Sequence, residues 1–127
     1  MDKLYIEAQG NKCPQITFEP SSGHFELLGI SRSENARAFY EPVINWLDLY
    51  AENPVANTTI DVKLQYFNTS SAKSLLEIFE KLITLHEEGK TTLIIKWYYQ
   101  EDDEDMLDAG ENYGTILDFP FETIVLK

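Results

Sequence analysis

Three hydroxyls and a lysine fall within six residues at Asn68-Thr69-Ser70-Ser71-Ala72-Lys73. An alternating apolar stretch precedes them and apolar residues at helical spacing follow. They therefore occupy a strand-to-helix junction. A helix start leaves backbone N–H groups unpaired and carries partial positive charge. Two kinds of chemistry suit hydroxyls there. One is N-capping, for which Asn, Thr and Ser are the preferred residues. The other is phosphorylation. A phosphate brings about −1.5 to −2 charge and three acceptor oxygens, and a helix N-terminus can hold it. Lys73, one turn on, can reach back toward it. Periodicity does not choose among the three hydroxyls.

Enzymatic signals are poor by comparison. The two histidines, His24 and His86, have no second His or Cys at metal-ligand spacing. His86 falls on or near an apolar helical stripe, which predicts a packed or hydrogen-bonded ring at a helix end. No glycine-rich phosphate loop and no nucleophile elbow occur. Glu101, Asp102, Asp103, Glu104, Asp105, Asp108 and Glu111 place seven acids in eleven residues with no basic residue among them. This run lacks the alternating ligands and fixed glycine of an EF-hand loop. It reads as a solvated or partner-facing patch. The enzymatic alternative is a metal-dependent hydrolase using residues 101–111. No cofactor is expected, and Trp46, Trp97, Tyr98 and Tyr99 read as core rather than ligand box.

The formal charge of −12, with 22 acidic against 10 basic residues, disfavours nucleic acid and anionic membranes. A protein with a basic face is the natural partner. The 127 residues, 43% hydrophobic, suit one domain over 1–127 with its own core. The one cysteine, Cys13, allows no internal disulfide and fits a reducing compartment. No leader and no membrane-length apolar run are evident, so a soluble cytoplasmic protein is expected.

Leu4 to Ala8 and Gln15 to Glu19 read as short strands, Pro20-Ser-Ser-Gly23 as a turn, and His24 to Ile30 as the second arm of a hairpin. Ser33 to Ala51 reads as a helix capped by Ser33, with Ala36, Phe39, Tyr40, Val43, Leu47 and Tyr50 forming its apolar stripe. Pro42 predicts a kink or a later start. Thr59 to Phe67 alternates, with Ile60, Val62, Leu64 and Tyr66 on an apolar face and Asp61, Lys63 and Gln65 on a wet one. Ser70 to Glu88 is the clearest helix, striped by Ala72, Leu75, Leu76, Phe79, Leu82, Ile83 and His86, with Gly89 as its stop. Thr92 to Tyr99 reads as a central strand. Residues 101–118 can hold a last helix, with Met106, Leu107, Tyr113 and Leu117 inward, that Gly110 and Gly114 weaken. Phe119 to Leu126 reads as the closing strand. Helical crossovers join parallel strands. The fold class is therefore α/β in two layers: a mixed, mostly parallel sheet with an N-terminal hairpin and helices mainly on one face.

Four segments together resemble the SiaC-like regulatory phosphoproteins, a bacterial family that shares the logic of the STAS-type anti-sigma-factor antagonists. They are Tyr66-Phe-Asn-Thr-Ser-Ser-Ala-Lys73 with the Leu75-Leu76-Glu77-Ile78-Phe79 helix; Trp97-Tyr98-Tyr99 leading into Glu101-Asp-Asp-Glu-Asp-Met-Leu107; Gly29-Ile-Ser31 through Glu34-Asn35 into Phe39-Tyr40-Glu-Pro42; and Phe119-Pro-Phe121. The resemblance covers essentially the whole chain and implies a STAS-like fold. It also implies a non-enzymatic partner switch. The family's regulatory threonine maps to Thr69, phosphorylated by a dedicated serine/threonine kinase and dephosphorylated by a PP2C-type phosphatase. The unphosphorylated form binds a target, by resemblance a diguanylate cyclase; an anti-sigma factor is the alternative. Asn68, Ser70, Ser71, Lys73, Ser31, Glu34 and Asn35 are then the partner- or kinase-binding residues. One departure is visible. Many relatives carry an aromatic residue and a proline where this chain has Arg32-Ser33, which puts the entry to the first helix in question.

Overall fold

The computed structural model describes residues 1–127. The chain runs β1 (Leu4–Ile6), β2 (Gln15–Glu19), β3 (His24–Ser31), α1 (Ala36–Tyr50), β4 (Asn57–Phe67), α2 (Thr69–Glu87), β5 (Thr92–Gln100), α3 (Glu104–Leu117), β6 (Phe121–Leu126). The six strands lie in the sheet in chain order. β1, β2 and β3 pair antiparallel, and β3 to β6 pair parallel. Parallel neighbours need crossovers, and right-handed crossovers that all advance in one direction put their helices on one face. One hydrophobic cluster accordingly unites the inner faces of β2 to β5 with side chains from all three helices. The expected mixed sheet and two-layer arrangement hold. β5 is an inner strand, but fifth of six rather than central.

Three expectations change. The first helix is capped by Asn35, not Ser33; its side chain accepts from Ala38 N–H at 3.3 Å. Pro42 stays inside this helix. Its missing donor frees the carbonyl of Ala38, four residues back, and both residues are exposed, so water can satisfy that carbonyl. The second change is in β4. Leu64 pairs with Gly29 but Tyr66 pairs with Ile30, so Gln65 is an extra residue. A one-residue bulge reverses the alternation. Tyr66 therefore turns outward under the Arg32 guanidinium, and Phe67 turns inward toward Trp97 and Tyr113. The third is Asp61, which is buried rather than wet. One of its oxygens lies 2.9 Å from His24 Nε2; the other has no partner.

Gly110 is a packing requirement rather than a weakness. A Cβ there would lie 2.5 Å from Trp97 Cδ1. This close approach lets α3 lie flat on the buried indole, whose N–H donates to the Met106 carbonyl at 2.8 Å. His86 is held at the end of α2, where its Nδ1 accepts from Leu93 N–H at 3.0 Å.

Candidate functional site

The junction between β4 and α2 is stitched to the loop that enters α1. Asn68 is the cap of α2. Its side-chain oxygen accepts from Ser71 N–H at 2.8 Å, and its amide donates to the Ser33 carbonyl at 3.1 Å. Its own N–H donates to Ser31 O at 3.0 Å. Asn68→Ala removes both a cap and a tether. The expected loss is about 1–2 kcal/mol, measured by urea denaturation; a loss below half that would show the loop holds itself.

The three hydroxyls have three different environments. Ser71 is fully buried, its Oγ 2.7 Å from Ser31 Oγ, which in turn lies 2.8 Å from Tyr40 Oη. Burial holds the Tyr40 phenol well above its ordinary pKa, so it remains a hydrogen-bonding hydroxyl in this network. Ser70 is half-buried, accepting from Ala36 N–H at 3.3 Å and donating to Glu34 O at 3.4 Å. Thr69 is exposed at the first position of α2, and its hydroxyl takes part in none of the side-chain hydrogen bonds. Two of the three hydroxyls are thus bound into the fold and one is free.

The residues expected at a partner surface separate in the same way. Glu34, Asn35 and Lys73 are exposed, and Asn68 and Ser70 are half-buried. Ser31 is 2% exposed and Ser71 is 0%. These two cannot touch a partner; they serve by fixing the two helix starts against each other. Lys73 has no ion-pair partner and lies between two depressions. One, between α1 and α2, has a volume of about 510 Å³ and a polar lining that includes Arg37, Glu41, Ser70 and Glu77. The other, about 340 Å³, is apolar and lies between α2 and α3, with Phe67, Ala72, Leu76, Ala109, Tyr113 and Ile116 along it and Thr69 at its rim. Sequence periodicity alone did not reveal this groove, because Phe67 reaches it only through the β4 bulge. Tyr113 bridges its floor, donating to the Ala72 carbonyl at 2.8 Å. Burial raises the Tyr113 pKa, so the phenol keeps its proton and the bridge persists.

The acidic run does local work at the start of α3. Asp103 caps it, accepting from Met106 N–H at 3.0 Å, and Glu104 and Asp105 sit in the first turn, where negative charge favours the helix dipole. No three His, Cys, Asp or Glu side chains converge at metal-binding distance. No helix is long and apolar enough to cross a membrane.

The model of the SiaC family regulatory phosphoproteins matches residues 6–126. A Pseudomonas aeruginosa (strain UCBPP-PA14) protein, PA14_02130, is 27% identical over 121 residues, covering 95% of this chain and 94% of that one. SiaC of Pseudomonas aeruginosa superposes with a TM-score of 0.83 at 24% identity, over 99% of this chain and 98% of that one. A chain in the crystal structure of the diguanylate cyclase SiaD with its activator SiaC, also from Pseudomonas aeruginosa, superposes at 0.88 and 25% identity, over 97% of this chain and 99% of that one.

Proposed function

We propose that this chain, which belongs to the SiaC family of regulatory phosphoproteins, acts in the cytoplasm by binding rather than by catalysis, and that its Thr69 hydroxyl is the switch. Unmodified, the chain docks on a diguanylate cyclase and stimulates it. A serine/threonine kinase adds phosphate at Thr69 and a PP2C-type phosphatase removes it. The observation that carries this reading is the contrast among the three hydroxyls: Ser71 and Ser70 are bound into the fold, while Thr69 is exposed and unbonded. A kinase needs such a hydroxyl, and a partner seated over it would sense a phosphate directly. The cyclase is supported by the likeness to a chain in the complex of SiaD with its activator SiaC.

The apolar groove at the rim of Thr69 is the docking surface that fits this role. Desolvated apolar contacts supply binding energy, and a phosphate placed at their edge brings both repulsion and a desolvation cost. Phosphosite mapping of the protein from its own cells, with and without phosphatase treatment, tests the switch. A phosphate on Thr69 that phosphatase removes is the expected result; modification confined to other residues would sink it. Ile116 tests the surface. It is 69% exposed, so Ile116→Asp should leave the melting temperature unchanged while weakening cyclase binding at least about tenfold, the loss expected where a charge enters an apolar contact. Titration calorimetry against the purified cyclase measures it, and unchanged affinity would place the docking surface elsewhere.

A further inference from the structure

We infer that the free edge of β6 is an interface for a second copy of this chain, which adds its own β6 antiparallel about a two-fold axis at Thr123. The sheet ends at β6, which pairs with β5 on one side only. Alternate residues of such an edge turn N–H and C=O groups outward without partners, and natural edges are usually short, bulged, or interrupted by lysine or proline. The opposite edge follows that practice: β1 has three residues, and the Trp46 indole N–H donates to the Asp2 carbonyl just before it. β6 has none of these devices within its six residues, Pro120 and Lys127 standing only at its two ends. It is Phe-Glu-Thr-Ile-Val-Leu, with one charged residue and an unbroken register along β5.

The pleat restricts how two copies can meet. Phe121, Thr123 and Val125 align with Ile95, Trp97 and Tyr99 on the helix side, and Glu122, Ile124 and Leu126 lie on the open side. Facing residues must share a side, so self-pairing centres on a residue. Centred on Thr123, it sets each Thr123 opposite its copy, Phe121 opposite Val125, and Glu122 opposite Ile124. Threonine pairs and aromatic–β-branched pairs are favourable across strands, and no like charges face each other.

Charge complementarity selects a second copy as the occupant. Extended past the two strand ends, the same register brings Lys127 of the second copy level with Phe119, on the helix side. There a cleft of about 360 Å³ is lined by Glu111, Asp118, Phe119 and Pro120 and by no cation. The two-fold axis makes this lysine–carboxylate match twice. The groove beside Thr69 lies on the other flank of α3, along Ala109, Tyr113 and Ile116, so self-pairing leaves it open.

Sedimentation velocity on the full chain, from low to hundreds of micromolar, tests the interface. The mass should rise from 14.7 kDa toward twice that value. Ile124→Glu places a like charge opposite Glu122 at two points and should weaken association about tenfold or more, whereas Ile124→Lys should strengthen it. Lys127→Glu, at an exposed residue, should weaken it as well. A monomer at every concentration, or Ile124→Glu and Ile124→Lys moving association in the same direction, overturns the inference. Should Ile124→Glu fail to fold by circular dichroism, unchanged dimerisation of Lys127→Glu overturns it instead.

Discussion

Thr69→Glu is expected to weaken binding to the proposed target, a diguanylate cyclase, about a hundredfold, while Thr69→Ala binds as the wild type does. Each 1.4 kcal/mol is tenfold in affinity, so a hundredfold loss needs about 2.7 kcal/mol. Like-charge or unpaired-charge placement in a desolvated contact costs several kcal/mol, which is enough. The protein already carries a net charge of −12, so one further charge changes its overall field little and the local setting of residue 69 decides the effect. With the apolar groove as the docking surface proposed above, the loss comes from a carboxylate at its edge, where docking would displace water. The alanine variant removes a hydroxyl that makes no bond within the protein, so the fold does not depend on it. Calorimetry with the two variants separates the cases. A glutamate variant that binds as tightly as wild type would mean that Thr69 is not covered in the complex.

The second large effect lies in the core. Gly110→Ala should destabilise the fold by about 2 kcal/mol, the middle of the range for overpacking. The new methyl would lie 2.5 to 2.8 Å from three atoms of the Trp97 ring, which is fully buried and held by its bond to the Met106 carbonyl. A rigid, hydrogen-bonded ring cannot swing aside, so α3 must lift. Alanine's better helix propensity returns about 1 kcal/mol and is included in that figure. Gly114→Ala is the control. Its Cβ would meet the Phe119 carbonyl at 3.3 Å, a contact that a shift of a few tenths of an ångström relieves. Thermal melts of the two variants should differ clearly. Equal melting temperatures would show that α3 is free to slide.

The strand-to-helix junction was legible because its signals are local. Asn68 is a strong cap residue, and the alternation before it and the helical stripe after it both point to one boundary. Gly89 likewise marked the end of α2, and its positive φ of 74° shows why glycine stands there. Non-local facts were not legible. A single extra residue at Gln65 turns Tyr66 out and Phe67 in, and nothing in the spacing reveals a bulge. Gly110 looked like a helix breaker because its reason, Trp97, is a tertiary neighbour. Asp61 looked wet because its partner His24 lies on another strand. Ser31 and Ser71 looked like surface hydroxyls because their bond to each other spans forty residues of chain. The resemblance identified the segment; only the packing separated the hydroxyl that faces outward from the two that hold the segment in place.

The bonded set of Ser31, Tyr40, Ser71 and Asn68 does not include the Thr69 hydroxyl. On the reading proposed above, the group that carries the signal and the scaffold that presents it are therefore separate, and groove residues can change without loosening the bonds between the two helix starts.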